Sequence, residues 1–179
     1  MRRYAKTLLG SVLLLLSMTG IPYVVYLLLI KVWNPQGSPA EKQAAEPTVS
    51  IVLPTYNEER IIENKLNDII ALEYPMEKIE LVVVDSSDDE TRERIREFFA
   101  GRDAPTLTLI EEDERRGLAP ALNDAYEAAS NEMVVKTDCD SKLAADTLRE
   151  AAANLADPEI GAVTGRNGDV LGGSEVEEG

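Results

Sequence analysis

Two aspartates separated by one residue, Asp138 and Asp140, carry the most interpretable chemistry in this chain. They follow a short apolar run, residues 133–137, whose composition predicts a strand. Alternate residues of a strand point to one side, so both carboxylates are expected together at the carboxyl edge of a sheet. Open α/β sheets bind their ligands at that edge. Carboxylate oxygens suit Mg²⁺ or Mn²⁺, and such a cation can hold a diphosphate.

The alternative interpretation of the pair is a solvated acidic turn, because the chain is rich in acids. Residues 1–33 hold four basic side chains and no acidic one, whereas the other 146 residues hold 14 basic and 33 acidic side chains, a net charge of −19. A domain this negative is not expected to bind nucleic acid, and it repels a nucleotide unless a metal or local basic residues intervene. The acidity itself is typical of adaptation to high salt, which screens self-repulsion.

The chain has one cysteine, Cys139, and no histidine. A single cysteine excludes an internal disulfide and fits a reducing compartment. The lack of histidine excludes a Ser-His-Asp triad and the typical zinc sites. Any acid–base chemistry must therefore come from carboxylates.

Residues 7–30 carry no charge and would span about 36 Å as a helix, enough to cross a bilayer. A secretory signal peptide is the alternative, but the apolar run is long and no small-x-small cleavage pattern follows it. We therefore predict a membrane anchor. Arg2, Arg3 and Lys6 favour a cytoplasmic N-terminus, which would place the rest outside, whereas Lys31 favours the opposite orientation.

From residue 48 onward, the apolar period alternates between that of strands and that of helices. Strands are predicted over residues 49–53, 79–84, 107–110, 133–137 and 160–164, and helices over 58–72, 90–100, 118–130 and 144–155. The helix over 118–130 is expected to bury Leu118, Leu122, Ala125 and Ala129. This alternation predicts an α/β fold, a mostly parallel Rossmann-like sheet with helices on both faces.

The sequence accordingly predicts four parts. Residues 1–33 form the anchor, 34–47 a linker rich in proline, glycine and alanine, and 48–166 the α/β domain. Residues 167–179 form a polar tail without an apolar run, and we interpret the tail as a point of truncation.

A polar cluster follows each of the first four predicted strands. After the first come Tyr56, which can stack on a base, and Asn57 and Glu58, which can bond a sugar or ring edge as well as cap the next helix. Asp85 opens the second cluster, which an N-cap explains in part. In the third, Arg116 and its basic neighbour precede Gly117; they are either a surface pair or, at a loop-to-helix junction, a contact for an anion.

Five segments in this order resemble one known family. They are residues 50–59 (SIVLPTYNEE), 72–75 (LEYP), 79–85 (IELVVVD), 116–123 (RGLAPALN) and 138–140 (DCD). Over about residues 48–166 the chain resembles family 2 glycosyltransferases, which have the GT-A fold. The segment after Asp85 departs from the common pattern, since it is one residue shorter and lacks the second adjacent aspartate.

The resemblance implies a site for a nucleoside-diphosphate sugar donor. In it Asp85 would bond the base, Arg116 would lie near the nucleotide, and Asp140 with Asp138 would coordinate Mg²⁺ or Mn²⁺ on the diphosphate. The implied nucleotide-sugar pocket comprises Pro54, Thr55, Tyr56, Asn57, Glu58, Asp85, Arg116, Gly117 and Asp138.

The resemblance further implies an inverting transfer of the sugar to a hydroxyl of a lipid or glycan acceptor. The catalytic base, a carboxylate, is expected beyond Gly179, so this chain would hold the donor-binding half. Since nucleotide sugars are cytoplasmic, the domain is expected on the cytoplasmic side of the cell membrane, held there by a single span.

Two alternatives share part of this pattern. A module that binds the donor without transferring sugar would carry the same residues. The Asp138-x-Asp140 spacing also fits phosphatases of the haloacid-dehalogenase type, although there the pair usually follows the first strand. Dinucleotide binding is disfavoured, because no Gly-x-Gly-x-x-Gly follows the first predicted strand.

Overall fold

The computed structural model describes residues 2–33, 40–102 and 105–165. The chain divides into two compact units between Ala40 and Glu41. In its described residues, the first unit contains the helix α1 (Arg2–Trp33). Its segment Gly10–Ile30 has a mean hydropathy of 2.2 and is long and apolar enough to cross a membrane.

The second unit is built on a parallel sheet whose four strands lie in the order β3-β2-β1-β4. The strands are β1 (Val49–Thr55), β2 (Ile79–Asp85), β3 (Thr106–Glu111) and β4 (Met133–Lys136). The helices that connect or follow them are α2 (Ile62–Ile70), α3 (Thr91–Phe99), α4 (Leu118–Ala128) and α5 (Thr147–Leu155), with a 3₁₀ turn at Met76–Lys78. The predicted α/β class is confirmed.

Alternate side chains of β1 and β2 pack into two separate cores, one on each face of the sheet. These central strands are therefore apolar almost throughout. On one face Ile51 and Leu81 pack with residues of α2, α3 and α5, among them Leu66, Ile95 and Leu148. On the other face the sheet meets α4 through a smaller cluster: Val52, Val82, Val84, Ala121 and Ala125. Helices therefore cover both faces, as predicted.

The fifth strand predicted over residues 160–164 does not form; this stretch has no regular secondary structure. Only Ile160 and Val163 are large and apolar there, and Val163 is 41% exposed. A strand needs a hydrogen-bonded neighbour, and so small an apolar surface does not hold this segment against the sheet.

The buried face of α4 also differs from the prediction. Leu118 was expected inside but is 57% exposed, whereas Ala121, which was not expected there, contacts the sheet together with the correctly predicted Ala125. Small residues at the contact let the helix approach the valines of the sheet closely. The other predicted helices form but begin later, α2 by four residues and α5 by three.

Residues 41–47, predicted as linker, are bonded to the α/β unit. The backbone N–H of Glu41 donates to Asp157 at 3.0 Å, and the Tyr74 hydroxyl donates to the carbonyl oxygen of Pro47 at 2.6 Å. The remaining linker, residues 34–39, and the predicted tail, 167–179, lie outside the described residues.

Candidate functional site

The strands end close together because they are parallel and in register. Thr55, Asp85 and Glu111 are paired neighbours across β1, β2 and β3, and each is the last residue of its strand. On the other side of β1, the shorter strand β4 ends at Lys136, level with Val52. The polar clusters that follow the strands therefore share one edge of the sheet.

Asp85 is completely buried at this edge, and its carboxylate is fully engaged. One oxygen accepts hydrogen bonds from the hydroxyls of Thr55 (2.6 Å) and Ser87 (2.7 Å). The other accepts from the Ser87 N–H (3.1 Å) and from Nε of Arg92 (3.0 Å). Since a carboxylate offers about four acceptor positions, this network leaves none for a ligand unless a donor is displaced.

The loops after β1 and β2 are joined by hydrogen bonds. The Asn57 N–H donates to the Ser87 hydroxyl (2.8 Å), and the Asn57 side-chain oxygen accepts from the Asp88 N–H (3.1 Å). Asn57 has a φ of 57°, a left-handed conformation that asparagine tolerates. The prediction that Asn57 and Glu58 side chains cap the next helix is wrong, because α2 starts at Ile62 without a side-chain cap.

Tyr56 is 38% exposed, and its ring is covered by Arg115, whose guanidinium carbon lies 3.9 Å from the ring centroid. This is a cation–π contact. Arg116 instead donates to Glu112 and Asp124. The structure therefore brings Arg115, rather than the predicted Arg116, to the aromatic residue of the first cluster.

Two further residues of the predicted pocket have backbone roles. Gly117 precedes α4 with a φ of 97°, a conformation that side chains rarely permit. Pro54 is half-buried near the end of β1 and is paired with Val84.

Asp138 and Asp140 are exposed and flank the buried Cys139. Because β4 ends at Lys136 and the chain turns at residues 139–140, strand alternation does not set the direction of the two carboxylates, contrary to expectation. The turn is closed by a hydrogen bond from the Ser141 N–H to the carbonyl oxygen of Asp138 (3.3 Å). Asp138 also accepts a bond from Nζ of Lys136 (2.5 Å).

Negative charge accumulates where Glu58, which follows β1, lies near Asp140, which follows β4. Burial raises the pKa of Glu58, and the nearby charges of Asp140 and Asp89 raise it further. Within the described residues no three acidic, histidine or cysteine side chains are grouped to hold a metal alone. Mg²⁺ and similar cations are commonly held by one or two carboxylates together with substrate phosphates. Asp138 and Asp140 fit that arrangement, and a cation would relieve the crowding of charge.

Two buried groups, Cys139 and Lys65, lie within or next to the acidic turn, which comprises residues 138–141. Burial raises the pKa of the Cys139 thiol to about 12, so this cysteine is unreactive at neutral pH. Lys65 of α2 is only 2% exposed, and burial lowers the pKa of its ammonium group against the opposing charges of nearby acids.

A family model described as "Glycosyl transferase family 2" matches residues 50–175, well over half of the chain. The chain belongs to glycosyltransferase family 2. The match includes all four polar clusters, and it decides between the two enzyme classes that the Asp138-x-Asp140 spacing had left open.

Relatives within family 2 share the same region. Poly-beta-1,6-N-acetyl-D-glucosamine synthase of Staphylococcus epidermidis is 33% identical over 118 residues, which are 65% of this chain and 28% of the synthase. The chain thus spans less than a third of the length of this relative.

Solved structures give the same picture. Mannosyltransferase PcManGT from Pyrobaculum calidifontis, in complex with GDP-Man and Mn²⁺, superposes with a TM-score of 0.71 at 41% identity, over 84% of this chain and 44% of that one. Residues 1–349 of S. aureus TarS, in complex with UDP-GlcNAc, give a TM-score of 0.55 at 30% identity, over 59% of this chain and 30% of that one.

Sequence reasoning missed Arg92 and Lys65 at this edge, and of the basic pair it placed Arg116, not Arg115, near the nucleotide. Lys65 carried a usable signal, since it falls on the apolar face of α2 defined by Ile62, Leu66 and Ile69. Arg92 also carried a signal, since it lies three residues before the buried Ile95 on α3. Arg115 lies in a loop, where no periodicity marks an inward direction.

Proposed function

We propose that the α/β unit of this family 2 chain binds a nucleoside-diphosphate sugar together with a divalent cation. The observation that supports this most directly is the closeness of Glu58, after β1, to Asp140, after β4, on a protein whose own charge repels a diphosphate. A divalent cation held by Asp138 and Asp140 would offset the diphosphate charge, which also stabilises it as a leaving group.

The base of the donor would enter between the loops after β1 and β2. Tyr56 offers an aromatic face there, and the exposed side chain of Arg115, which covers that face, would move aside for a base to stack on it. Asp85 would either bond the base after Ser87 is displaced or hold the pocket in shape. The PcManGT complex contains GDP-Man and Mn²⁺, and its similarity to this chain makes GDP-mannose the first donor to test.

The reaction we propose is an inverting transfer to an acceptor hydroxyl of a lipid or glycan. The hydroxyl attacks the anomeric carbon, the bond to the diphosphate oxygen breaks, and a carboxylate takes the proton of the hydroxyl. Among described acids after Asp140, Glu150 is paired with Lys42, and Asp157 accepts two backbone N–H bonds. We assign the base to none of them. A module that only binds the donor would differ solely in failing to transfer labelled sugar.

Titration calorimetry of the full chain in detergent tests the donor site. With Mn²⁺ or Mg²⁺ present we expect GDP to bind more tightly than UDP, and without metal we expect neither to bind measurably, because the field of the protein repels both. Metal-independent binding of equal strength would contradict the assignment.

We also propose that α1 crosses the cell membrane once and that the α/β unit faces the cytoplasm, where nucleotide sugars occur. The variant Glu127→Cys tests this, since Glu127 is exposed on α4 and Cys139 is too buried to label. A membrane-impermeant maleimide should label it only after cells are permeabilised. Labelling in intact cells would place the unit outside, and the unsubstituted chain controls for Cys139.

A further inference from the structure

Lys65 lies on the buried face of α2, between Ile62 and Leu66, and is 2% exposed. Lysine is almost never buried to this degree unless its ammonium group is bonded. Its environment is thus specific, and its bonding partners indicate what it does.

The ammonium group bonds to both ends of the acidic turn. Nζ of Lys65 donates to the hydroxyl of Thr137 at 2.7 Å and to the carbonyl oxygen of Ser141 at 2.6 Å. Thr137 directly precedes Asp138, and Ser141 directly follows Asp140. One buried cation therefore fixes the residues on either side of both candidate metal ligands.

Other contacts tie the same segment to the domain. The Thr137 N–H donates to the carbonyl oxygen of Val52 in β1 at 3.1 Å. One turn beyond Lys65 on α2, Asp68 accepts a bond from the Leu143 N–H at 2.8 Å. Hydrogen bonds from α2 and β1 therefore hold the turn on its buried side, while its two aspartates are exposed to solvent.

We propose that Lys65 is a positioning residue, which holds residues 137–141 so that Asp138 and Asp140 can bind a divalent cation together with a nucleoside diphosphate. This inference rests on the proposed function. Lys65 does not bond either carboxylate; it acts through the backbone and hydroxyl on each side of them. Supporting groups of this kind typically change metal affinity by about 10- to 100-fold when they are lost.

The test compares Lys65→Met, Lys65→Arg and Thr137→Val in the full chain in detergent. We expect Lys65→Met to weaken Mn²⁺-dependent GDP binding, measured by calorimetry, and Mn²⁺ binding, measured by electron paramagnetic resonance, by about 10-fold or more. Lys65→Arg should recover part of this loss, because a guanidinium can donate to both partners. Thr137→Val removes one anchor in nearly the same shape and should give a smaller loss even if Lys65→Met fails to fold.

The matched control is Lys78→Met. Lys78 also donates to a backbone carbonyl, that of Glu46 at 2.8 Å, but at the amino end of β2. Thermal unfolding of each variant separates positioning from stability, since a purely structural role would lower the melting temperature and leave the affinity of the folded protein unchanged. Wild-type affinity in folded Lys65→Met or Thr137→Val would overturn this inference and leave the proposed function standing. Absence of metal-dependent binding in the unsubstituted chain would overturn the proposed function and this inference with it.

Discussion

Asp140→Ala is expected to lower the affinity of the chain for GDP in the presence of Mn²⁺ by at least about 100-fold, beyond the usual effect of losing a group that only supports a ligand. Asp140 is exposed, its charge acts on Glu58, and among the described residues it forms no salt bridge. Asp138 shares its carboxylate with Lys136, so the larger effect is assigned to Asp140. Titration calorimetry with and without Mn²⁺ measures the change.

Asp88→Ala is the matched control for Asp140→Ala. It removes the same charge from an exposed position in the loop after β2, where Asp88 contributes its backbone N–H to Asn57. Its affinity for GDP should stay close to that of the unsubstituted chain. If both variants lost affinity equally, the effect would come from the overall charge, and Asp140 would not be a metal ligand.

Asp85→Ala is expected to destabilise the α/β unit by about 3 kcal/mol or more, the scale found when one partner of a buried ion pair is removed. Four donors, from Thr55, Ser87 and Arg92, would lose an acceptor whose carboxylate is itself fully buried. The free energy of unfolding can be measured by circular dichroism in urea.

Glu150→Ala provides the comparison for Asp85→Ala. Glu150 pairs with Lys42 on the surface, where the two side chains are 58% and 54% exposed. Solvent screens such a pair, so its loss should barely change the unfolding midpoint. A similarly small change for Asp85→Ala would mean that its network contributes nothing beyond what water would supply.

The central strands were predictable because their apolar runs leave few alternatives. β1 and β2 are buried on both faces, and both continue past their predicted ends, to Thr55 and Asp85. The missing strand over 160–164 was not predictable in the same way, since a short apolar run does not reveal whether a neighbour is available to pair with it.

For the site, the sequence predicted which loops contribute residues but not the directions of their side chains. The sequence placed the clusters at one edge, but side-chain directions in loops have no period, so Arg115 and Arg116 could not be told apart. The exchange of the expected Leu118 for Ala121 on the face of α4 has a related cause. Hydrophobicity favoured the larger residue, while the close approach of helix and sheet selected the smaller one.

The strand order β3-β2-β1-β4 has a consequence for where a ligand can enter. The first strand, β1, is central; β2 pairs with one of its sides, and β3 pairs with the outer side of β2. The chain then crosses back, and β4 pairs with the other side of β1. The order therefore reverses between β1 and β4, and in open α/β sheets the crevice at such a reversal is where ligands bind. Glu58 follows one of these strands and Asp140 the other. Connectivity alone creates the opening, and the acidic side chains determine which ligand suits it.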